Sequence, residues 1–306
     1  MTIWVTGGSG MVGSAFKRVL GSEAVYPSRQ QMNLLHSDSL TFAPDDKVIH
    51  LAAKVGGVKA NMNAMADFFY ENQKINENVL EAAQRSAVQK VVSLLSTCVY
   101  PDAPYVTYPL TEEQLHMGPP HDSNYAYAYA KRMVDVMRAY RQQYDCNFIT
   151  AIPNNLYGEN DNFDLENSHV IPALMRKIWE AKINNEPHVQ CWGDGSPLRE
   201  FTYSEDIARI LLFLMDNYDS PEPINIGNTK EYSIKQVVEM ISDILEYDGE
   251  IRWQTSQPSG QHRKPSSNRK LLELGWDEKN YTPLKEGLKK TCEWFIMNYP
   301  KVRGIN

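Results

Sequence analysis

Short apolar runs alternate with amphipathic segments over the first 155 residues of the chain. A strand buried on both faces gives a nearly continuous apolar run, and a helix between two such strands connects parallel neighbours. The expected strands are TIWVTG, AVYP, KVIHLAA, KVVSLLS and NFITAIP, and the expected helices are MVGSAFKRVLG, NQKINENVLEAAQRS and YAYAKRMVDVMRAYRQQY. The pattern therefore predicts an α/β fold with a doubly wound parallel sheet.

The pattern changes after Pro153, where polar loops separate shorter helical and strand-like segments. One later apolar stretch, EPINIGN, is typical of a strand that returns to the main sheet. We predict a nucleotide-binding domain of the Rossmann type from residues 1–157 plus about 203–227. A smaller α/β C-terminal substrate domain is predicted from about 158–202 plus 228–306.

Composition narrows the class of protein. The chain has 306 residues and a net charge of −7, which gives no electrostatic footprint for nucleic acid or a membrane surface. It has no signal-peptide pattern and no apolar run long enough to span a membrane. The four cysteines have neither metal-ligand nor disulfide-framework spacing. We therefore expect a cytoplasmic protein without a metal site.

The stretch VTGGSGMVGSA carries glycines in the pattern TGxxGxxG between the first strand and the first helix. Gly7, Gly10 and Gly13 allow a tight turn and a close backbone approach, and Met11 and Val12 open the helix whose N-terminus can bind a pyrophosphate. A glycine string alone could be a generic turn. Its place after the first strand of a βαβ unit instead predicts a dinucleotide site.

The end of the second expected strand indicates which dinucleotide binds. An NAD site usually has a carboxylate there, but this chain has Ser28 and Arg29. A guanidinium can pair with a 2′-phosphate, so NADPH or NADP is the predicted cofactor, although Arg29 could also be a solvated surface side chain.

Tyr127 and Lys131 lie four residues apart, on one face of a helix. A lysine ammonium can lower the pKa of a tyrosine and hold the nicotinamide ribose, and the tyrosine can then protonate a carbonyl oxygen as hydride arrives. Ser96, at the end of the preceding strand, could share that oxygen. The three residues predict a carbonyl reductase.

Together these motifs resemble the extended short-chain dehydrogenases/reductases, whose members act on nucleotide sugars. Within them, six stretches resemble the GDP-L-fucose synthase family: SRQQMNL, HLAAKVGGVKAN, STCVYP, NLYGENDNF, NSHVIPALMRK and WGDGSPLREF. The resemblance implies NADPH-dependent 3,5-epimerisation and 4-reduction of GDP-4-keto-6-deoxy-D-mannose.

The resemblance also gives a role to the thiol of Cys98, which could otherwise be explained as core packing. Protons on carbons 3 and 5 flank the ketone at carbon 4, and inversion needs a base on one face of the sugar and an acid on the other. The resemblance implies Cys98 as base and His169 as acid. Ser96 and Tyr127 would stabilise the oxyanion in each step.

Further contacts are also implied by the resemblance. Those with the cofactor are assigned to Leu51, Ala52, Ala53, Lys131, Asn154, Leu156 and His169, and those with the substrate to Asn155, Lys177, Trp192, Arg199 and Lys264. Trp192 could equally belong to the core. The chain departs from the family pattern at Lys177, where a second arginine is known, and at Ser259, where an aspartate is more usual.

Three alternatives stay open at this stage. The chain could reduce carbon 4 without epimerising, it could act on another GDP-4-keto sugar such as a heptose, or it could be a non-catalytic NADP-sensing protein. Since relatives pair the helices equivalent to DFFYENQKINENVLEAAQ and YAYAKRMVDVMRAY, a homodimer is expected.

Overall fold

The computed structural model describes residues 1–36, 40–256 and 262–305. Its largest sheet is six-stranded and parallel throughout, in the order β2-β1-β3-β4-β5-β9. These strands are β1 (Ile3–Thr6), β2 (Ala24–Val25), β3 (Lys47–His50), β4 (Lys90–Leu94), β5 (Phe148–Pro153) and β9 (Ile224–Ile226). The predicted α/β class is confirmed, and the stretch EPINIGN does return to the sheet.

Helices cover both faces of this sheet because successive residues of each strand point to opposite sides. Val91 and Phe148 belong to one hydrophobic cluster, whereas their neighbours Val92 and Ile149 belong to the other. One face packs on α1 (Met11–Leu20) and α7 (Ser204–Asn217), and the other packs on α3 (Met65–Arg85) and the helices that follow β4.

The remaining elements share a separate hydrophobic cluster. They include a three-stranded sheet of β6 (Asn155–Tyr157), β8 (Leu198–Tyr203) and β10 (Glu231–Ser233), and a parallel pair of β7 (His188–Trp192) and β11 (Glu250–Gln254). Their helices are α6 (Val170–Ile183), α8 (Ile234–Leu245) and α10 (Leu284–Asn298). Two further α-helices, α2 (Val58–Asn63) and α9 (Arg269–Glu273), are short, and Leu271 of α9 packs in the cluster of α1 and α7. The residue boundaries of the two domains stay a prediction.

Several elements are shorter than the apolar pattern predicts. β2 ends before Pro27, which lacks the N–H that would continue a ladder. β3 ends at His50 because the Thr6 hydroxyl takes the N–H groups of Leu51 and Ala52. The helix expected over 127–144 is divided into α4 (Tyr125–Arg132), a 3₁₀ segment (Met133–Val136) and α5 (Met137–Tyr144).

The sheet order also locates a crevice. The chain goes from β1 outward to β2 and then returns to the opposite side of β1 at β3, so the order reverses between β1 and β3. In open parallel sheets, ligands bind at the carboxyl ends of the strands beside such a reversal. In the described ranges, no helix has the length and apolarity needed to cross a membrane.

Candidate active site

The glycine loop lies directly against the end of β3. Gly7 has φ +71°, and a Cβ at this residue would stand 2.9 Å from the backbone of Ala52. A Cβ on Gly13 would stand 2.3 Å from the Gly7 carbonyl oxygen, so both positions require glycine. Helix α1 begins after Gly10 without a side-chain cap, which leaves backbone N–H groups for an anion. The loop therefore fits a pyrophosphate.

Arg29 lies beyond the short strand β2 and is exposed. Among the described residues, none forms an ion pair with its guanidinium. The neighbouring Tyr26 ring packs 5.6 Å from the Lys17 ammonium. The charge and exposure of Arg29 fit the 2′-phosphate that distinguishes NADP from NAD.

A buried histidine, not predicted from the sequence, connects the glycine loop with helix α4. Nδ1 of His50 lies 2.9 Å from the Thr6 hydroxyl and its Nε2 lies 3.1 Å from Oδ1 of Asn76, whose Nδ2 donates to the Ala130 carbonyl. Burial, and then the charge of Lys131, lower the pKa of His50 to about 3. The imidazole is therefore neutral. Since the amide oxygen can only accept, Nε2 carries the proton.

Ser96, Tyr127 and Lys131 meet at the carboxyl end of β4. Ser96 precedes a 3₁₀ turn (Thr97–Val99), and its hydroxyl lies close enough to Tyr127 to act on the pKa of that phenol. The Lys131 ammonium donates to the Leu94 carbonyl over 3.0 Å. Tyr127 and Lys131 are 8% and 3% exposed, so the core holds both side chains in place.

The pKa of Tyr127 differs from the expectation that Lys131 would lower it. Burial first, and then the nearby Cys98 sulfur, raise the pKa of Tyr127 well above its usual range, and the Ser96 hydroxyl opposes them only in part. The expectation of a lowered Tyr127 pKa is therefore wrong for the protein chain alone. Burial lowers the pKa of Lys131 to about 8. Tyr127 is therefore protonated at neutral pH, as a proton donor must be.

The Cys98 thiol lies beside this group and is half-buried. Its backbone N–H donates to Ser96 Oγ over 3.3 Å, and Nδ2 of Asn124 donates to its sulfur over 3.0 Å. Lys264 is close enough that the sulfur and Asp102 favour its ammonium, although burial lowers the pKa of Lys264 overall. Arg199 also acts on Lys264, so Lys264 and Arg199, both predicted to bind the substrate, lie together near Cys98.

His169 occupies the N-cap position of α6 and is exposed. The carboxyl of Asp161 lies within electrostatic range and is 8% exposed. Burial raises the pKa of Asp161, whereas His169 lowers it, and Oδ2 of Asp161 has no hydrogen-bond partner within the described part of the chain. Asp161 is a neighbour of His169 that sequence reasoning missed, because seven residues of loop separate them.

Lys177 and Trp192 form a second group of predicted substrate residues. The ammonium lies 5.8 Å from the centroid of the Trp192 ring, which is 55% exposed. Both line an open cavity of about 410 Å³ between α6 and the β7–β11 pair. Trp192 is therefore not a core residue.

The two asparagines after β5 have different surroundings. Asn154 is buried and its side chain is occupied: it donates to the Asn228 carbonyl and Glu200 and accepts from Thr202. Asn155 is exposed and donates to the Glu200 carbonyl, and Leu156 beside it is half-buried. Ala53 and Leu51 flank Ala52 at the glycine loop. Ser259 lies outside the described residues.

Comparison with known proteins agrees with this geometry. Residues 3–227 match the NAD dependent epimerase/dehydratase family. The chain is 43% identical to a GDP-L-fucose synthase of Sinorhizobium fredii, with 97% of this chain and 96% of that protein covered. It is 41% identical to the enzyme of that name from Dictyostelium discoideum, with 99% and 97% covered.

A solved structure gives the same assignment. The GDP-L-fucose synthetase of Naegleria fowleri bound to NADP superposes with a TM-score of 0.90 at 40% identity, and the match covers 99% of this chain and 94% of that one. The chain therefore belongs to the NAD dependent epimerase/dehydratase family and, within it, to the family of the GDP-L-fucose synthases.

Proposed function

We propose that the protein converts GDP-4-keto-6-deoxy-D-mannose to GDP-L-fucose with NADPH, by epimerisation at carbons 3 and 5 and then reduction at carbon 4. One observation carries this proposal: Ser96, Cys98 and Tyr127 lie together, since the Cys98 N–H donates to Ser96 Oγ and both side chains act on the pKa of Tyr127. Ser96 and Tyr127, which would act on a carbonyl oxygen, and Cys98, which could remove a proton from a carbon atom, are therefore close to one another. Family membership, with the NADP-bound relative, supports the same activity.

The cofactor residues are those of the crevice between β1 and β3. Gly7, Gly10 and Gly13 would hold the pyrophosphate, Arg29 the 2′-phosphate and Lys131 the nicotinamide ribose. When bound, NADPH supplies the hydride for carbon 4. Ser96 and Tyr127 orient the substrate ketone through its oxygen, and Tyr127 donates the proton that this oxygen needs.

Epimerisation uses the same oxyanion position. Removal of a proton from carbon 3 or carbon 5 moves charge onto the oxygen at carbon 4, where the hydroxyls of Ser96 and Tyr127 donate hydrogen bonds. Cys98 takes the proton from one face, and His169 returns one to the other face. Lys264, Arg199, Lys177, Trp192 and Asn155 bind the rest of the GDP-sugar.

Deuterium incorporation tests the whole sequence of steps. The protein is incubated with GDP-4-keto-6-deoxymannose and NADPH in deuterium oxide, with absorbance read for NADPH and NMR for deuterium at carbons 3 and 5. Oxidation of NADPH with deuterium at both carbons supports the proposal. Oxidation of NADPH without deuterium at carbons 3 and 5 would indicate a 4-reductase. No oxidation of NADPH would indicate a non-catalytic NADP-binding protein.

Two variants assign the carbon acid steps. Cys98→Ala and His169→Ala should each slow deuterium incorporation by about 100-fold or more, since each removes a general acid or base. Cys146→Ala is the matched control, because Cys146 is also a half-buried free cysteine but lies after α5. Normal incorporation in Cys98→Ala would remove the thiol from the mechanism.

We propose further that the protein is a cytoplasmic homodimer. All four cysteines are free, as is usual in a reducing compartment. Phe69 and Tyr70 on α3, and Met133 and Val136 in the 3₁₀ segment, are 44%, 63%, 48% and 45% exposed, and α3 packs on α4. Such an apolar surface is typical of an interface.

Light scattering of two charge variants tests the dimer. Met133→Glu should give a monomer at micromolar concentration, because a buried charge in an apolar interface is unfavourable. Met297→Glu is the control, since Met297 is 76% exposed at the end of α10. A monomeric unmodified protein, or a dimeric Met133→Glu protein, would contradict the proposed interface.

A further inference from the structure

Asn124 precedes helix α4 at its N-cap position but does not cap the helix. Asparagine is favoured at N-caps because its side-chain oxygen can accept a backbone N–H of the first turn. Here the side chain makes no such bond, and instead its Nδ2 donates to Sγ of Cys98 over 3.0 Å. The residue therefore uses its donor on the sulfur and leaves the helix end uncapped.

The direction of this bond has a chemical consequence. An amide nitrogen has protons to donate and does not accept, so the Cys98 sulfur must be the acceptor. A hydrogen bond to an ionised acceptor is stronger than one to a neutral acceptor. The contact between Asn124 and Cys98 therefore favours the thiolate over the thiol.

A second observation concerns the other end of the same carboxamide. Oδ1 of Asn124 is buried and has no hydrogen-bond partner among the described residues. Leaving a buried acceptor unpaired is unfavourable. The stability of the fold therefore does not explain why a carboxamide occupies this position. In the described part of the chain, the sulfur is the hydrogen-bond partner of this side chain.

The sulfur is also fixed by its surroundings. The Cys98 backbone N–H donates to Ser96 Oγ, which ties the thiol to the position of the oxyanion. The Lys264 ammonium lies close enough to interact favourably with a thiolate. Tyr127 is a neighbour but carries no charge at neutral pH, because burial raises its pKa.

We propose that Asn124 is the positioning residue of the carbon base: it holds the Cys98 sulfur as a thiolate directed at the acidic carbon of the sugar. This role rests on the proposed function. In the step concerned, a bond forms between the sulfur and the proton and the C–H bond breaks. The electron pair of that bond moves to the ketone oxygen, which Ser96 and Tyr127 hold.

The test separates carbon acid chemistry from hydride chemistry. Deuterium incorporation into GDP-4-keto-6-deoxymannose needs the thiol, whereas oxidation of GDP-L-fucose by NADP⁺ needs only Ser96, Tyr127 and Lys131. Asn124→Ala should slow incorporation by about 10-fold to 100-fold, the value of one hydrogen bond to a charged group, and leave the oxidation within about threefold. Ser123→Ala is the control, because its hydroxyl bonds His121 instead.

A nearly isosteric variant gives a readout that does not depend on turnover. Asn124→Asp keeps the shape but replaces the donor with a carboxylate, which should repel a thiolate. Alkylation of Cys98 by iodoacetamide, followed by mass spectrometry at about pH 7.5, should slow about 10-fold in Asn124→Asp and not change in Ser123→Ala. An unchanged alkylation rate would overturn the proposal.

The outcomes distinguish this inference from the proposed function. If the unmodified protein incorporates no deuterium, the proposed epimerase activity fails, whatever Asn124 does. If it incorporates deuterium and Asn124→Ala does so at the same rate, only the role of Asn124 fails. An equal loss of incorporation and oxidation would show that the residue acts on the fold of the site and would also overturn the inference.

Discussion

The two sides of the cleft are built in different ways. On the sheet side, Tyr127 and Lys131 are almost fully buried: the Tyr127 ring packs edge-on against Phe68, and the Lys131 ammonium donates to the Leu94 carbonyl. On the substrate side, His169 and Trp192 are exposed at the surface of a separate cluster. The groups that handle the carbonyl oxygen are therefore preorganised, whereas those assigned to the rest of the substrate lie where a ligand must cover them.

Each side nevertheless buries an ionisable group near the site, a lysine on one side and a glutamate on the other. Burial lowers the pKa of Lys131 to about 8 and raises the pKa of Glu200 to about 7. Glu200 accepts hydrogen bonds from Asn154 and from the backbone and hydroxyl of Ser266. It therefore joins the end of β5 to the segment that carries Lys264. This carboxyl is one connection between the two sides.

The largest expected effect is on the sheet side. Tyr127→Phe should lower the rate of NADPH oxidation by about 1,000-fold, because it removes the one hydroxyl that both orients and protonates the oxygen. Tyr129→Phe is the control: Tyr129 is 39% exposed and stacks on Arg132. The measurement is the steady-state rate of NADPH oxidation by absorbance. Equal losses of rate in both variants would contradict a special role for Tyr127.

The Tyr127 position illustrates what sequence can predict. A tyrosine and a lysine four residues apart must share a helix face, and apolar runs separated by helices give the confirmed parallel sheet. Asn124 and Asp161 carry no such signal. Their contacts with Cys98 and His169 arise only when β4, α4 and the loop before α6 come together, and no local spacing records that. The role of each site residue stays a prediction.

Glu200→Gln tests the connection between the two sides. Because the folded state raises the pKa of Glu200 from 4.5 to about 7, the stability it contributes is full below pH 4.5 and is lost as pH rises to about 7. The loss is about 3 kcal/mol of unfolding free energy. Urea unfolding across this range should show that decline in the unmodified protein, relative to Glu200→Gln.

The control for Glu200 is Glu246→Gln, whose side chain is 86% exposed. The difference in unfolding free energy between Glu246→Gln and the unmodified protein should not change with pH. If Glu200→Gln behaves in the same way, the buried carboxyl does not titrate in this range, and the connection between β5 and Ser266 does not depend on its charge.

Lys131→Met should show the opposite sign. A lysine whose pKa falls from 10.5 to about 8 destabilises the folded state while it is charged, and the penalty is relieved as pH rises through that interval. Between about pH 8 and pH 10, the unmodified protein should gain about 2 kcal/mol relative to Lys131→Met. Lys285→Met, with a 65% exposed side chain, should show no such gain. If the difference in unfolding free energy between Lys131→Met and the unmodified protein does not change with pH, the ammonium is solvated.

The smallest effect is expected at Trp192, and it is the sharpest test of the contrast between the two sides. Since the ring is 55% exposed and contacts Lys177 across 5.8 Å, Trp192→Ala should change the unfolding free energy by less than about 0.5 kcal/mol. If a base or sugar ring covers it, the KM for the GDP-sugar should rise about fivefold, as the loss of one aromatic contact implies.

Trp192→Phe keeps a ring and should recover part of that loss, with kcat unchanged in both variants. Loss of binding without loss of stability is the property expected of a surface that only the ligand completes. A stability loss of several kcal/mol would instead make Trp192 part of the fold, as the buried residues of the sheet side are. An unchanged KM would place the nucleotide elsewhere, and Arg199 and Lys264, next to Cys98, would then have to bind it.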